Sequence, residues 1–166
     1  MRRPALLLAA LLSACGAEHD ARFPIELFLS AALQDIDSLQ LSLVTRGGTL
    51  DCVQVQRACI KDQVERSRFV THRDGSRELT AWRFSMDTSG EQDLTLRELP
   101  LGDDFALVVE AVSKDAKLAG SSCNFVRRLE AGDNTAVTAR IVELTPHADC
   151  DPINASMRLR SPAARA

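Results

Sequence analysis

Nucleophilic catalysis needs a base beside the nucleophile, and the chain has three histidines to offer: His19, His72 and His147. None stands in a Gly-x-Ser-x-Gly, His-Glu-x-x-His, Gly-x-Gly-x-x-Gly or phosphate-loop setting, so each reads as a solvated side chain. Asp35 with Asp37, Asp103 with Asp104, and Asp149 with Asp151 could offer oxygens to calcium, which takes roughly six to eight of them. No pair lies in a loop with that ligand count, and Asp103-Asp104 follows a glycine turn where acids are common without metal. Cys52, Cys59, Cys123 and Cys150 form no Cys-x-x-Cys, and only His147 sits at ligand spacing from a cysteine, Cys150. Arg66, Arg68, His72, Arg73 and Arg77 make a basic cluster that could meet anionic headgroups or an acidic partner, but Glu65, Asp74 and Glu78 are interleaved with it. A solvated hairpin face is the simpler reading, and Arg158, Arg160 and Arg165 serve to keep a tail soluble. The expectation is a chain with no catalytic residue, no metal and no cofactor.

Composition narrows the partners. At 166 residues, 45% hydrophobic and 26% charged, the chain has the make-up of one ordinary globular domain. Its net charge of −3 offers no concentrated basic surface for nucleic acid. With six Phe, one Trp and no Tyr, few rings are available to stack on sugars or bases.

Arg2 and Arg3, an uninterrupted apolar run from Ala5 to Leu12, and small residues at Ser13 and Ala14 follow the grammar of an export signal. The run is far short of the roughly eighteen residues that span a bilayer. Leu12-Ser13-Ala14-Cys15 resembles the lipobox of bacterial lipoproteins. The resemblance implies cleavage before Cys15, a diacylglycerol on its sulfur and an acylated new N-terminus. Two or three chains, at about 0.8 kcal/mol per buried methylene, hold a soluble domain to a membrane where one would not. Gly16 rather than Asp after the cysteine points, by the enterobacterial sorting rule, to the outer membrane. An ordinary secretory signal with a chance cysteine is the other reading. In a bacterium the sequon Asn154-Ala155-Ser156 is a coincidence.

Export changes the meaning of the remaining cysteines: outside the cytoplasm an even number reads as disulfides, here two, with three pairings open. Proximity in sequence favours Cys52 with Cys59 and Cys123 with Cys150, worth about 2.5 and 3.6 kcal/mol by loop closure.

The elements that hold these residues have a period of two. Phe23, Ile25, Leu27 and Leu29 alternate with Pro24, Glu26 and Ser30; Leu39, Leu41 and Leu43 alternate with polar residues, as do Val53 and Val55, then Trp82, Phe84 and Met86, then Leu94 and Leu96, and finally Val137, Ala139 and Ile141. Cys123 and Phe125 share a face. Phe105 to Val112 is apolar throughout except Glu110, which fits a central strand covered on both faces. Turns are signalled at Gly47-Gly48, Asp74-Gly75, Ser89-Gly90, Gly102-Asp103 and Gly132-Asp133-Asn134. Short helices fit only Ala31 to Ser38 or Arg57 to Arg66, and the charged span from Lys61 to Glu78 is a loop or a hairpin turning at Asp74-Gly75. About seven or eight such strands make an all-β chain, an antiparallel β-sandwich. The expected organisation is a signal peptide at 1–14, a tether at 15–22, the β-sandwich domain at 23–150 and a C-terminal tail at 151–166.

Asp87-Thr88-Ser89-Gly90, the strand Leu94 to Leu99, Leu99-Pro100-Leu101-Gly102 and the strand from Phe105 together resemble a signature of transthyretin-like and Cna-B-like modules. There the prolyl-glycyl turn joins two core strands and a Tyr opens the second; here Phe105 takes its place. The motif is one of packing, so it implies a sandwich and carries no active site, and immunoglobulin-like and fibronectin-like sandwiches stay open.

These readings converge on a lipid-anchored, disulfide-stapled envelope lipoprotein that is a non-enzymatic binding or assembly module. Its expected partners are the membrane, through Cys15, and an envelope protein. A small hydrolase or enzyme inhibitor would need a deep pocket collecting His72 or His147 beside carboxylates. A carbohydrate binder would need Trp82 on the surface, whereas its company with Phe84 and Met86 favours the core.

Overall fold

Pro24 has no backbone N–H to give to a ladder, and it divides the first apolar run into two strands, β1 (Ala21–Phe23) and β2 (Ile25–Leu29), that enter different sheets. They belong to a computed structural model that describes residues 21–29, 33, 35–86 and 94–150. The strands that follow are β3 (Ile36–Thr45), β4 (His72–Asp74), β5 (Arg77–Leu79), β6 (Trp82–Ser85) and β7 (Leu96–Leu99). The last four are β8 (Gly102–Ser113), β9 (Lys117–Leu129), β10 (Gly132–Asp133) and β11 (Val137–Asp149). A six-stranded sheet has the order β2-β11-β9-β8-β3-β6, a three-stranded one β10-β1-β7, and β4 and β5 pair as a hairpin. Neighbours are antiparallel except for β1 with β10 and β2 with β11. The chain is an all-β sandwich, and Cys15, the signal segment, Asp87-Thr88-Ser89-Gly90 and the tail from 151 lie outside the described residues.

Alternation along the strands builds the main core. Leu39, Leu41 and Leu43 of β3 and Phe105, Leu107 and Val109 of β8 face Ala21, Phe23, Leu96 and Leu99 of the small sheet. The turn Leu99-Pro100-Leu101-Gly102 carries the chain from the small sheet to the large one, and Gly102, at φ +148°, takes a conformation that favours glycine. On the opposite face, Val44 and Val108 are covered by Val55, Ile60, Val64 and Phe69 from the segment between β3 and β4. β8 is therefore buried on both sides, as its continuous apolar run implied.

Two local expectations are corrected here. Val53 and Val55 form no strand: they lie in a single helical turn, α1 (Cys52–Val55), because Asp51 Oδ1 accepts hydrogen bonds from the Val53 and Gln54 N–H groups at 3.0 and 3.3 Å. The disulfides do not join sequence neighbours. Cys52 bonds Cys123 of β9 and Cys59 bonds Cys150 beyond β11, with Cα–Cα distances of 5.5 and 5.2 Å. The covering segment lies across the sheet, so Cys52 meets Cys123 in the middle of β9 while Cys59 meets Cys150 just past the end of β11. With sequence separations of 71 and 91, loop closure makes each bridge worth about 4.5 kcal/mol, more than either local pairing.

Candidate binding cleft

β9 lies between β8 and β11 in the large sheet, yet among the described residues its pairing with β11 stops at Ser121 while that with β8 runs on to Leu129. With β8 it is in register from Gly102↔Leu129 to Val112↔Leu118. With β11 the pairing ends at Ser121↔Val142, next to Gly120, where a Cβ would lie 2.6 Å from the Val142 carbonyl oxygen. Beyond that point the strands part, because the chain reaches β11 from the other sheet: β10 pairs with β1 through Ala21↔Gly132 and Arg22↔Asp133.

Asn134 holds this crossing in place. Its Nδ2 donates to the carbonyls of Arg22, Glu130 and Gly132 at 3.1, 2.9 and 3.2 Å, its Oδ1 accepts from the Glu130 N–H at 2.9 Å, and its own N–H donates to the Arg22 carbonyl at 2.9 Å. The Val137 N–H then donates to the Pro24 carbonyl at 3.1 Å. The gap left between β9 and the segment 133–137 is an open cleft of about 400 Å³, with buried Phe23 and Val126 among its lining and the Phe125 ring, 56% exposed, at its side.

Charge in the cleft is mostly spoken for. Arg128 Nε donates to Asp103 at 2.6 Å and its guanidinium reaches Glu130 at 3.9 Å, while Asp133 stands 3.8 Å from Arg22. The hydrogen bond from Arg128 holds the Asp103 carboxyl below its ordinary range. Arg127 is exposed and has no ion-pair partner among the described residues.

The residues singled out in the sequence are dispersed. His72 is buried rather than solvated: its ring stacks on Trp82 with centroids 4.1 Å apart, and neither ring nitrogen has a hydrogen-bond partner. Burial lowers its pKa, partly offset by Asp74. His147 is exposed near the far end of β11, and His19 lies outside the described residues. The cleft lining includes neither His72 nor His147. Trp82 is 5% exposed and belongs to the core, so it presents no face to a sugar.

Asp37 pairs with Arg83 at 3.0 Å, and Asp149 pairs with Lys117. Asp103 turns to Arg128 while Asp104 Oδ1 accepts from the Gly48 N–H at 2.6 Å, so these neighbours serve different partners. The basic cluster dissolves as well. Arg68 donates to the Thr45 and Arg46 carbonyls, and Arg73 and Arg77 stand across the β4–β5 hairpin from Glu78 and Asp74.

Sequence reasoning passed over Glu110. Its side chain is 1% exposed, with Oε2 accepting from Gln40 Nε2 at 2.8 Å and Oε1 from the Ile60 N–H at 2.7 Å. Burial pushes its pKa up to about 7. The signal was a lone acid in an otherwise apolar run. Glu110 lies with Cys59 and Cys150 in a cluster whose ligand atoms fall within 4.8 Å, but the two sulfurs are joined to each other and have no thiolate to give a metal.

Comparison of the chain with family models, with curated proteins and with solved structures found no match.

Proposed function

We propose that the chain is a lipid-anchored lipoprotein of the bacterial envelope, held at the outer membrane through Cys15, and that its sandwich acts as a non-enzymatic binding or assembly module with the cleft between β9 and β11 as its contact surface. The observation that carries the binding role is the edge of β9 that has no strand partner among the described residues, beside an exposed phenyl ring and on walls already fixed by Asn134. The anchor rests on Leu12-Ser13-Ala14-Cys15. The chain from Cys15 to Ala21 spans roughly 20 Å at most. Ala21 pairs with Gly132 at the end of the sandwich that carries the cleft, so an anchored domain holds the cleft close to the membrane.

The test is crosslinking in intact cells, recovery from the membrane fraction and mass spectrometry, with Cys15→Ala as the unanchored control. A diacylglyceryl group on Cys15 and a stoichiometric partner lost in the control are expected. An unmodified Cys15 overturns the anchor. Turnover of a substrate that survives purification and disappears on mutation of one polar residue overturns the non-enzymatic reading.

A further inference from the structure

We infer that the cleft takes a short extended peptide segment of a partner protein, laid as an added strand against the free edge of β9, with an acidic side chain opposite Arg127. This rests on the cleft being the contact surface. From Ser122 to Arg128 the backbone of β9 is in register with β8 alone among the described residues, so its other edge presents donors and acceptors in the spacing of half a ladder. An extended backbone is the ligand that answers such a row along its length.

Side chains of an added strand alternate between faces. One face of the occupant meets Phe125, and the other meets the apolar residues beneath, Phe23 and Val126. A volume of about 400 Å³ admits a short segment and excludes a folded domain. Because the hydrogen bonds of Asn134 fix the far wall, little ordering remains to be done on binding. Charge selects within this class. Arg128 pairs with Asp103 and Glu130, and Asp133 with Arg22, which leaves Arg127 as the cleft cation with no direct ion pair among the described residues and a carboxylate as its complement.

The experiment pans a random dodecapeptide library, displayed on phage, against the purified full-length protein, and maps amide hydrogen exchange with the recovered peptides. Expected are peptides that alternate apolar and polar residues, carry Asp or Glu, and slow exchange within 122–128. Arg127→Glu should weaken them about tenfold and turn the library toward Lys or Arg. A proline at the centre of the peptide should abolish binding, since it removes a ladder donor.

No enrichment, protection of a different strand, or full tolerance of the central proline overturns the inference. So does protection of 122–128 by phosphatidylethanolamine–phosphatidylglycerol vesicles and not by peptide, which assigns the cleft to the lipid surface. The two readings fail separately. A partner captured in cells that leaves 122–128 exchanging freely refutes the strand-addition inference and the choice of cleft, while the binding module stands.

Discussion

His72 lies flat on Trp82, with ring centroids 4.1 Å apart and planes 9° from parallel. Trp82 is the single tryptophan of the chain, so the tryptophan emission comes from this residue alone. Burial lowers the pKa of His72, and the folded protein therefore resists a proton that the unfolded chain accepts near 6.5. The contribution of His72 to stability is full above pH 6.5 and is lost as pH falls from there through the lowered folded value. Trp82 emission should change over that acidic range in the wild type and stay level in His72→Gln. Iodide should quench Trp82 weakly at neutral pH; strong quenching would put the ring on the surface and restore the carbohydrate reading.

Glu110 has the opposite dependence. Its folded pKa of about 7 lies above the ordinary 4.5, so the folded state holds a proton that the unfolded chain has released between those values. Stability should fall by about 3 kcal/mol as pH rises from 4.5 past 7. Urea unfolding with the disulfides intact, followed across that range, should show the loss in the wild type and a flatter profile in Glu110→Gln. Together with His72 it places the stability maximum on the acid side of neutrality.

Peptide mapping without reductant should recover Cys52 with Cys123 and Cys59 with Cys150. Replacing both Cys52 and Cys123 by alanine should cost about 4 kcal/mol and free the covering segment first, seen as faster exchange of the amides of α1. A protein of unchanged stability would contradict the assigned pairing.

Phe125 and Val126 are adjacent on β9 and turn to opposite faces: Phe125 is 56% exposed and Val126 4%. Phe125→Ala should change stability by less than about 0.5 kcal/mol, whereas Val126→Ala should cost roughly 1 to 3 kcal/mol through lost burial. The same Phe125→Ala protein should lose partner capture in cells. If it folds normally and captures the partner undiminished, the cleft is not the contact surface.

Local rhythm made most of the strands legible. Alternation at Leu39 to Leu43 and at Trp82 to Phe84, and the apolar run at Phe105 to Val112, correspond to β3, β6 and β8, and the β4–β5 hairpin turns at Gly75-Ser76, one residue on from the Asp74-Gly75 signal, with Gly75 at φ +59°. Val53 and Val55 carry the same alternation and misled, because two periods cannot separate a short strand from one helical turn when a capping aspartate stands before it.

By itself, then, the sequence determined that the chain is all-β, where its central strand runs and that four cysteines are available to staple it, since alternation and turn chemistry act between residues close in the chain. Only the tertiary structure decided which cysteines meet, that His72 is stacked inside, that Glu110 is sealed under Ile60, and that β9 and β11 part beyond Ser121. Each depends on how segments distant in sequence are laid across one another. The direction from which the chain crosses between sheets, the source of the cleft, leaves no mark in any local run of residues.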